Sequence, residues 1–478
     1  MSLPMQRQPS AAVMLQPRHA HVVERLAAAF SDAGYELSLV GGIVRDALLG
    51  FQVNDLDLTS NATPEQLKTL APAVGASSIY DIGEKFGTIG FVFRVESDDE
   101  PIPVEITTYR SEHYPDQTRH PQVDFGADLI GDLARRDFTI NAMAVDVLTG
   151  ELIDPFGGQP DLHQGIIRAV GDPIQRFDED PLRLLRAARF VSQLGFMIEV
   201  DTLDAMHEMA PEIERISKER VYAELTRLVT GTYASHALET LAQTGLLALT
   251  MPGLEPLSLE TGERGSIHRE KDLWDHTKKV VDKAPQRPVV RWSALMHDAA
   301  KPMTRGYDAH GEIHFIGHER EGAILAKQVL EGLHADRATV NAVSHIVELH
   351  GRPGTYERSW TDSAVRRLML DAGDELHDLL DLAAADVTSA RAFRQHAAAQ
   401  RIAGLRSHIE RLEAEREADQ WKSPLDGDEL MAAFDRKPGR WIAEIKDHLR
   451  ELVLDGELAP GDKERALEIA QRLLADRE

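Results

Sequence analysis

Near residue 155 the hydrophobic period of this chain changes, and the change limits what can be built on either side. Upstream, helix-like and strand-like patterns alternate. HVVERLAAAFSDAG, residues 21–34, predicts a helix closed by Gly34; ELSLVGG is a strand entering a glycine turn, and IVRDALLG a short helix stopped by Gly50. DLDLTS is a second strand, TPEQLKTLAPAV a helix, and TIGFVFRV and IPVEITTY are a third and fourth strand. This alternation predicts an α/β head over residues 20–150. Downstream, segments such as FDEDPLRLLRAARFVSQLG and SKERVYAELTRLVTG keep a helical period, so the remainder is expected to be all-α.

At 478 residues the chain exceeds what one core can organise. A Pro-, Gly- and Ser-rich stretch, MPGLEPLSLETGERGS at 251–266, marks a boundary. The expected division is a head over 20–150, a helical neck and body over 151–250, a His-rich helical domain over 267–400 and a helical tail over 401–478. No apolar run approaches the roughly 20 residues that span a bilayer. The start, MSLPMQRQPSAAVML, lacks a signal-peptide pattern, so a cytoplasmic protein without membrane contact is expected. The absence of cysteine excludes thiol nucleophiles and Cys-ligated zinc, and any metal must sit on His and carboxylates. A net charge of −26 argues against non-specific nucleic-acid binding, DNA included. An RNA partner would need local basic patches. Two are present: Arg110, Arg119, Arg135 and Arg136 in one segment, and Arg183, Arg186 and Arg189 in another.

Asp55 and Asp57 lie two apart on a predicted strand, so both carboxylates share one face and can reach the same cations. Hard Mg²⁺ takes a few carboxylate oxygens together with substrate phosphates, and two such ions suit an in-line phosphoryl displacement. Gly41 and Gly42 lie just upstream, where missing side chains let backbone N–H groups approach a triphosphate. Arg45 adds a charge-assisted donor for phosphate, and Glu105 in PVEITTY is a candidate third carboxylate. A lone D-x-D is usually surface or turn chemistry, and a lone Gly-Gly is usually a turn. Their combination with an arginine and a later strand carboxylate resembles the nucleotidyltransferases of the polymerase β superfamily.

RRDFTINAMAVD (135–146), DPFGGQPDL (154–162) with IIRAVGDP, EDPLRLLRAARF (179–190) and ISKERVYAEL (216–225) follow in order. The series resembles the class II tRNA nucleotidyltransferases, the CCA-adding enzymes and their bacterial poly(A) polymerase relatives. The resemblance implies a polymerase β-like head, neck, body and tail, with tRNA, CTP and ATP as partners and a protein template that selects the base. On that template Asp180 would accept from the exocyclic amino group of cytosine or adenine, and Arg183 would donate to the adjacent ring acceptor. Uracil and guanine offer a carbonyl oxygen where the carboxylate needs a donor. Arg186 and Arg189, on the same helical face, would hold phosphate or orient that pair. The bland reading makes Asp180 a helix cap and the arginines a solvated face. Arg136 resembles the family's nucleotide-contacting arginine, its bland reading being an ion pair with Asp137. Asp154, Gly157 and Gly158 carry no assigned chemistry. The segment after the fourth strand resembles the flexible loop of CCA- and A-adding members, with Arg110, Asp116 and Arg119 at matching positions.

Beyond residue 265 the spacing is His276, then His297-Asp298, then His318, His350 and Asp386. This H…HD…D series resembles the HD phosphohydrolase superfamily, in which imidazoles and carboxylates hold a divalent metal such as Ni²⁺, Mn²⁺ or Mg²⁺ with a position open to water. His276, His297, Asp298 and Asp386 are the expected ligands. Lys301 could bind phosphate, and His318 and His350 could add ligands or contact phosphate. His345 falls outside the pattern and reads as a core histidine. The sequence therefore predicts a CCA-adding nucleotidyltransferase with an HD phosphohydrolase. The alternatives are an A-adding enzyme or poly(A) polymerase, and a nucleotide-sensing regulator whose HD unit is the main enzyme.

Overall fold

The computed structural model describes residues 15, 17–53, 55–83, 87–94, 100–113, 122–125, 128–255, 257, 273–387, 392–414 and 422–475. They divide into two compact units, Met1–Pro252 and Gly253–Glu478.

The first unit is built on a seven-stranded sheet of order β3-β4-β5-β2-β1-β8-β9. Its strands are β1 (Leu37–Val40), β2 (Leu56–Ser60), β3 (Ser78–Gly83), β4 (Thr88–Phe93), β5 (Ile102–Thr108), β8 (Ala144–Asp146) and β9 (Leu152–Ile153); β6 (Arg110–His113) and β7 (Gln122–Phe125) form a separate ribbon. In β2 Leu56 and Leu58 are buried and alternate with Asp57, as the period of two requires. Burying each leucine is worth roughly 2 kcal/mol, so a one-residue slip that turned them to solvent and Asp57 inward is strongly disfavoured. In β5 Val104 and Ile106 are buried on either side of Glu105. β2 and β5 run parallel with Asp57 opposite Glu105, an arrangement set by the same apolar alternation in both strands.

The head departs from expectation in three places. Strand β3, with polar and glycine positions in SIYDIG, was not anticipated; it pairs with β4 across a register shift between Tyr80 and Gly83. The end of the RRDFTINAMAVD motif forms β8, which pairs with β1 and then with β9. The helix expected over TPEQLKTLAPAV spans only Pro64–Leu70, started by a capping box in which Thr63 and Gln66 bond each other's backbone N–H. After β9 the first unit is almost entirely helical, with Leu182–Leu194 packing against Lys218–Val229 and Ala234–Gln243.

Among the described residues of the second unit, the regular structure is helical apart from the short hairpin Gly306–Tyr307/Ile313–His314. The helices Leu273–Lys283, Pro288–Met296, His318–Gly332, Arg337–Leu349 and Leu376–Ala385 pack on one another. The last helices, Gly427–Phe434, Arg440–Leu454 and Lys463–Ala475, share a small core that includes Leu430, Ile445, Leu449 and Ala466. Among the described residues no helix is long and apolar enough to cross a membrane.

Candidate functional site

A cavity of about 610 Å³ opens in the first unit between the sheet and the helix Leu182–Leu194. Asp57 stands on its floor, beside the turn Gly41-Gly42 and Arg45. Among its lining residues are eight arginines (45, 110, 135, 136, 183, 186, 189 and 220) against three aspartates (57, 137 and 180). The objection raised by a net charge of −26 is thus answered locally, because a recessed cationic pocket focuses its field on an anionic ligand whatever the distant surface carries.

Asp57 is accessible to solvent but recessed, and its carboxyl is pushed up to about 6, first by burial and then by Glu105, with Arg136 opposing and Asp55 reinforcing. Glu105 also lies next to Gly90 of β4, where a Cβ would meet the Tyr80 ring at 2.3 Å. Asp55 sits one residue before β2 and is exposed. Mutually repelling carboxylates of this kind fit a divalent cation, which Asp55 and Asp57 would hold with Glu105 beside them; when bound it would offset the charge of triphosphate and pyrophosphate. The three carboxylates do not, however, draw together as a set within 4.8 Å, as the ligand groups of the second unit do.

The Gly41-Gly42 turn is shaped by a close approach. Gly41 has φ +76°, and a Cβ there would lie 2.8 Å from Arg136 Nη1. Arg45 is buried, donating to Asn141 Oδ1 at 2.7 Å and to Asp46 Oδ1 at 2.8 Å. Asn141 donates in turn to Asp137 Oδ1 at 3.0 Å, and Arg186 donates to Asp137 Oδ2 through Nε at 2.8 Å and Nη2 at 2.6 Å. Burial opposes ionisation of Asp137, but the Arg186 charge and these hydrogen bonds hold its carboxyl at about 2. A continuous chain, Arg45–Asn141–Asp137–Arg186, therefore ties the glycine turn to the arginine-bearing helix.

Several site residues are placed differently from the simplest expectation. Arg136 pairs with Asp132, at 3.3 Å, and not with Asp137. Asp180 lies between two helices in extended backbone; Oδ1 accepts from the Leu182 N–H at 3.2 Å, as a cap would, and Oδ2 accepts from Arg220 at 3.1 Å. Arg183 is buried and donates to Glu179 at 2.7 Å and to the carbonyls of Arg176 and Arg135 at 2.9 Å. To read a base edge it must exchange at least one of these partners. Arg189 pairs with buried Glu224 at 3.0 Å, and burial lowers its pKa to about 10. The guanidinium groups of Arg45, Arg186 and Arg189 all lie over Phe190, at 5.2, 5.6 and 4.6 Å from its centroid. Asp154 accepts from the N–H groups of Gly158 and Gln159 and caps a helix. Asp116 and Arg119 lie outside the described residues.

Sequence reasoning missed Asp132, Asp137 (named only as an alternative partner for Arg136), Asn141, Phe190 and Arg220. The first three fall in or beside RRDFTIN, where an acidic residue next to arginines was a signal; the long-range partners were not visible.

In the second unit the histidines gather at helix ends. His276 lies in the first turn of Leu273–Lys283, His297 caps Pro288–Met296, His318 opens its helix, and His350 and Asp386 cap theirs. His276 Nε2 is 3.2 Å from His297 Nε2, 3.3 Å from Asp298 Oδ2 and 3.0 Å from Asp386 Oδ1. His297 Nδ1 lies 2.8 Å from the Ala294 carbonyl, which can only accept, so Nδ1 donates there and Nε2 faces the cluster. Lys301 donates to Asp298 Oδ2 at 2.7 Å. Burial opposes ionisation of Asp298, yet His297 and the surrounding imidazole contacts keep its carboxyl well below the usual range. Inward-facing imidazole nitrogens beside the buried Asp298 carboxylate suit a divalent metal, which His276, His297, Asp298 and Asp386 would hold. His345 stands apart, 3.4 Å from Glu375.

Sheet order, strand carboxylates and glycine turn together define a polymerase β-like nucleotidyltransferase head, followed in a separate unit by an HD-type cluster. Comparison with known proteins agrees. Residues 37–168 match the family described as Poly A polymerase head domain, 195–257 the Probable RNA and SrmB-binding site of polymerase A, and 233–391 the HD domain. The CCA-adding enzyme of Geobacillus thermodenitrificans is 43% identical over 301 residues, 61% of this chain and 66% of that one. That of Geobacillus stearothermophilus is 42% identical over 222 residues, 46% of this chain and 52% of that one. The matched stretch thus spans between half and two thirds of these relatives. The structure of the Bacillus stearothermophilus CCA-adding enzyme in complex with CTP superposes with a TM-score of 0.70 at 26% identity, covering 97% of this chain and 99% of that one. The Thermotoga maritima CCA-adding enzyme complexed with tRNA shares the fold, with a TM-score of 0.57 at 20% identity over 98% of this chain and all of that one. This chain thus carries the head domain of poly(A) polymerases, their RNA-binding segment and an HD domain, and is similar in sequence and fold to CCA-adding enzymes.

Proposed function

We propose that the chain adds CMP and AMP, from CTP and ATP, to the 3′ end of tRNA. One observation carries the reading: the strand carboxylate Asp57, the Gly41-Gly42 turn and the arginine-bearing helix face a single cationic cavity large enough for one nucleotide. In that reaction the tRNA 3′-hydroxyl attacks the α-phosphorus, a new P–O bond forms, and pyrophosphate leaves with the electrons of the broken bond. Mg²⁺ at Asp55 and Asp57, with Glu105 adjacent, would supply the compensating charge. Arg45, Arg136, Arg186 and Arg189 surround the space for the triphosphate, and Gly42 keeps its edge free of side chains. Asp180 and Arg183 select cytosine and adenine, with Asp180 exchanging Arg220 for the exocyclic amino group.

The HD unit is proposed to hydrolyse phosphomonoesters or 2′,3′-cyclic phosphates at His276, His297, Asp298 and Asp386 with Ni²⁺, Mn²⁺ or Mg²⁺, Lys301 lying where a phosphate can reach it. Both activities suit a cytoplasmic enzyme. The test is incorporation of labelled CTP and ATP into tRNA transcripts that lack the terminal CCA. Failure to extend them in Mg²⁺ overturns the main reading, and extension only by long runs of A shifts it to poly(A) synthesis.

A further inference from the structure

Asp132, in the helix Leu129–Ala134, is fully buried and does not line the nucleotide-sized cavity, yet it holds two residues that do. Its Oδ1 accepts from Arg135 through Nε at 3.0 Å and Nη2 at 2.8 Å, and its Oδ2 accepts from Arg136 Nη2 at 3.3 Å. These partners stand three and four positions on, where a helical turn brings side chains onto one face. Oδ2 also lies 3.5 Å from Thr59 Oγ1 on β2. Thr59 and Asp57 are two apart on that strand, about 7 Å, and share a face. Two carboxylates thus flank one stretch of β2, Asp57 reached by solvent and Asp132 sealed from it. A carboxylate in such a place is costly to desolvate and is kept charged only where cations and hydrogen bonds answer it.

Arg136 is held by Asp132 through Nη2 alone. Nη1 stands over the glycine turn, where a Cβ on Gly41 would lie 2.8 Å from it, and Nε is buried without a hydrogen-bond partner. A guanidinium carries five N–H donors, so most of this one's are left for a ligand of the cavity that Arg136 lines. Its charge also reaches Asp57, where it opposes the rise of that carboxyl. Arg136 therefore stands between two carboxylates, and a cation on a long side chain, left with only one of them, closes onto it. Arg135 is pinned by the same buried group, and its carbonyl accepts from Arg183 at 2.9 Å, so the anchor reaches that arginine as well.

We infer that Asp132 is a positioning residue for nucleotide binding: it holds Arg135 and Arg136 in the cavity wall, so that Arg136 meets the triphosphate and does not close onto Asp57. The inference rests on the reading of the cavity as the nucleotide site. Asp132 touches no part of the nucleotide and acts only through the two arginines. A neutral side chain at this position leaves Arg136 with Asp57 as its anion, which takes a donor from the phosphates and a carboxylate from the cavity floor at once. An Asp132 that served only to hold the helix Leu129–Ala134 would affect folding but would not couple to Arg136.

The test is a double-mutant cycle on equilibrium binding of CTP to the full chain in Mg²⁺. Asp132→Asn should weaken binding about 10-fold, and in an Arg136→Ala background the same substitution should weaken it about 3-fold or less. Equal factors in the two backgrounds overturn the proposal, as does unchanged binding in folded Asp132→Asn. In the addition reaction Asp132→Asn should raise the KM for CTP and ATP and leave the KM for tRNA at the wild-type value; an equal rise for tRNA overturns it too. Wild-type protein that does not bind CTP overturns the reading of the cavity, and the proposal with it. Should Asp132→Asn not fold, crystals of the wild-type chain with CTP decide. Arg136 bridging Asp132 and the triphosphate is the expected result, and Arg136 seated on Asp57 or turned away from the phosphates contradicts the proposal.

Discussion

Asp57 on β2 stands opposite Glu105 on β5 in a parallel register, and its carboxyl is pushed up to about 6 by burial and by that neighbour. Below about pH 6 a cation reaching Asp57 must displace a proton. Mg²⁺ or Mn²⁺ binding to the nucleotide-free chain should weaken as pH falls through that value, with proton release rising. Because the folded value lies above the ordinary 3.8, ionising Asp57 lowers stability as pH rises from about 4 to about 6, and bound metal reverses the loss. Calorimetry in buffers of different ionisation enthalpy reads the released protons. Glu105→Gln should move the midpoint down, and a wild-type midpoint near 4 would contradict the assignment.

Asp55→Ala and Asp57→Ala should each cut nucleotide addition by more than about 100-fold, because the proposed metal-holding carboxylates would act as a unit. Hydrolysis by the HD unit should be unaffected. A variant retaining a tenth of wild-type incorporation would refute the two-metal assignment.

Asp180→Ala should relax selection against UTP and GTP more than it weakens binding of CTP or ATP, since it would remove the acceptor proposed for the base's amino group. Arg220→Ala, which frees Asp180 Oδ2, should keep selectivity. Unchanged selectivity of Asp180→Ala in a four-nucleotide competition would leave Asp180 as a cap for Leu182.

Asp137→Asn breaks the buried partnership with Arg186 and should destabilise the head by about 3 kcal/mol, read by urea unfolding at pH 7. Its folded pKa, about 2, lies below the ordinary 3.8. The stabilisation is therefore fully present above about pH 4 and lost as pH falls through about 2. The variant should show a flatter acid limb than wild type, and parallel pH profiles would contradict this role.

Replacing His297 and Asp298 together by alanine should abolish metal-stimulated hydrolysis of 2′,3′-cyclic AMP while tRNA extension survives. Wild-type protein that hydrolyses neither this nor a simple phosphomonoester in Ni²⁺, Mn²⁺ or Mg²⁺ would leave the unit without the proposed activity.

What was legible in the sequence followed from periods and local spacing. Alternating apolar positions in DLDLTS and PVEITTY fixed which face Asp57 and Glu105 occupy, and the spacing of His276, His297, Asp298 and Asp386 anticipated their convergence. The partners of charged groups were not legible. Arg136 chooses Asp132 one helical turn back instead of its neighbour Asp137, because Asp137 is turned toward Arg186, 49 residues away. Arg183 is similarly taken up by the carbonyl of Arg135, 48 residues away. Strand β3 was missed because its pairing with β4, and not its own composition, makes it a strand.

The most direct test is a product ladder on tRNA transcripts ending before the CCA, in Mg²⁺, with CTP and ATP supplied separately and together. CTP alone should extend the transcript by two residues, and CTP with ATP should complete a three-residue addition and stop. Long ladders with ATP alone, or no extension under any combination, would contradict CCA addition.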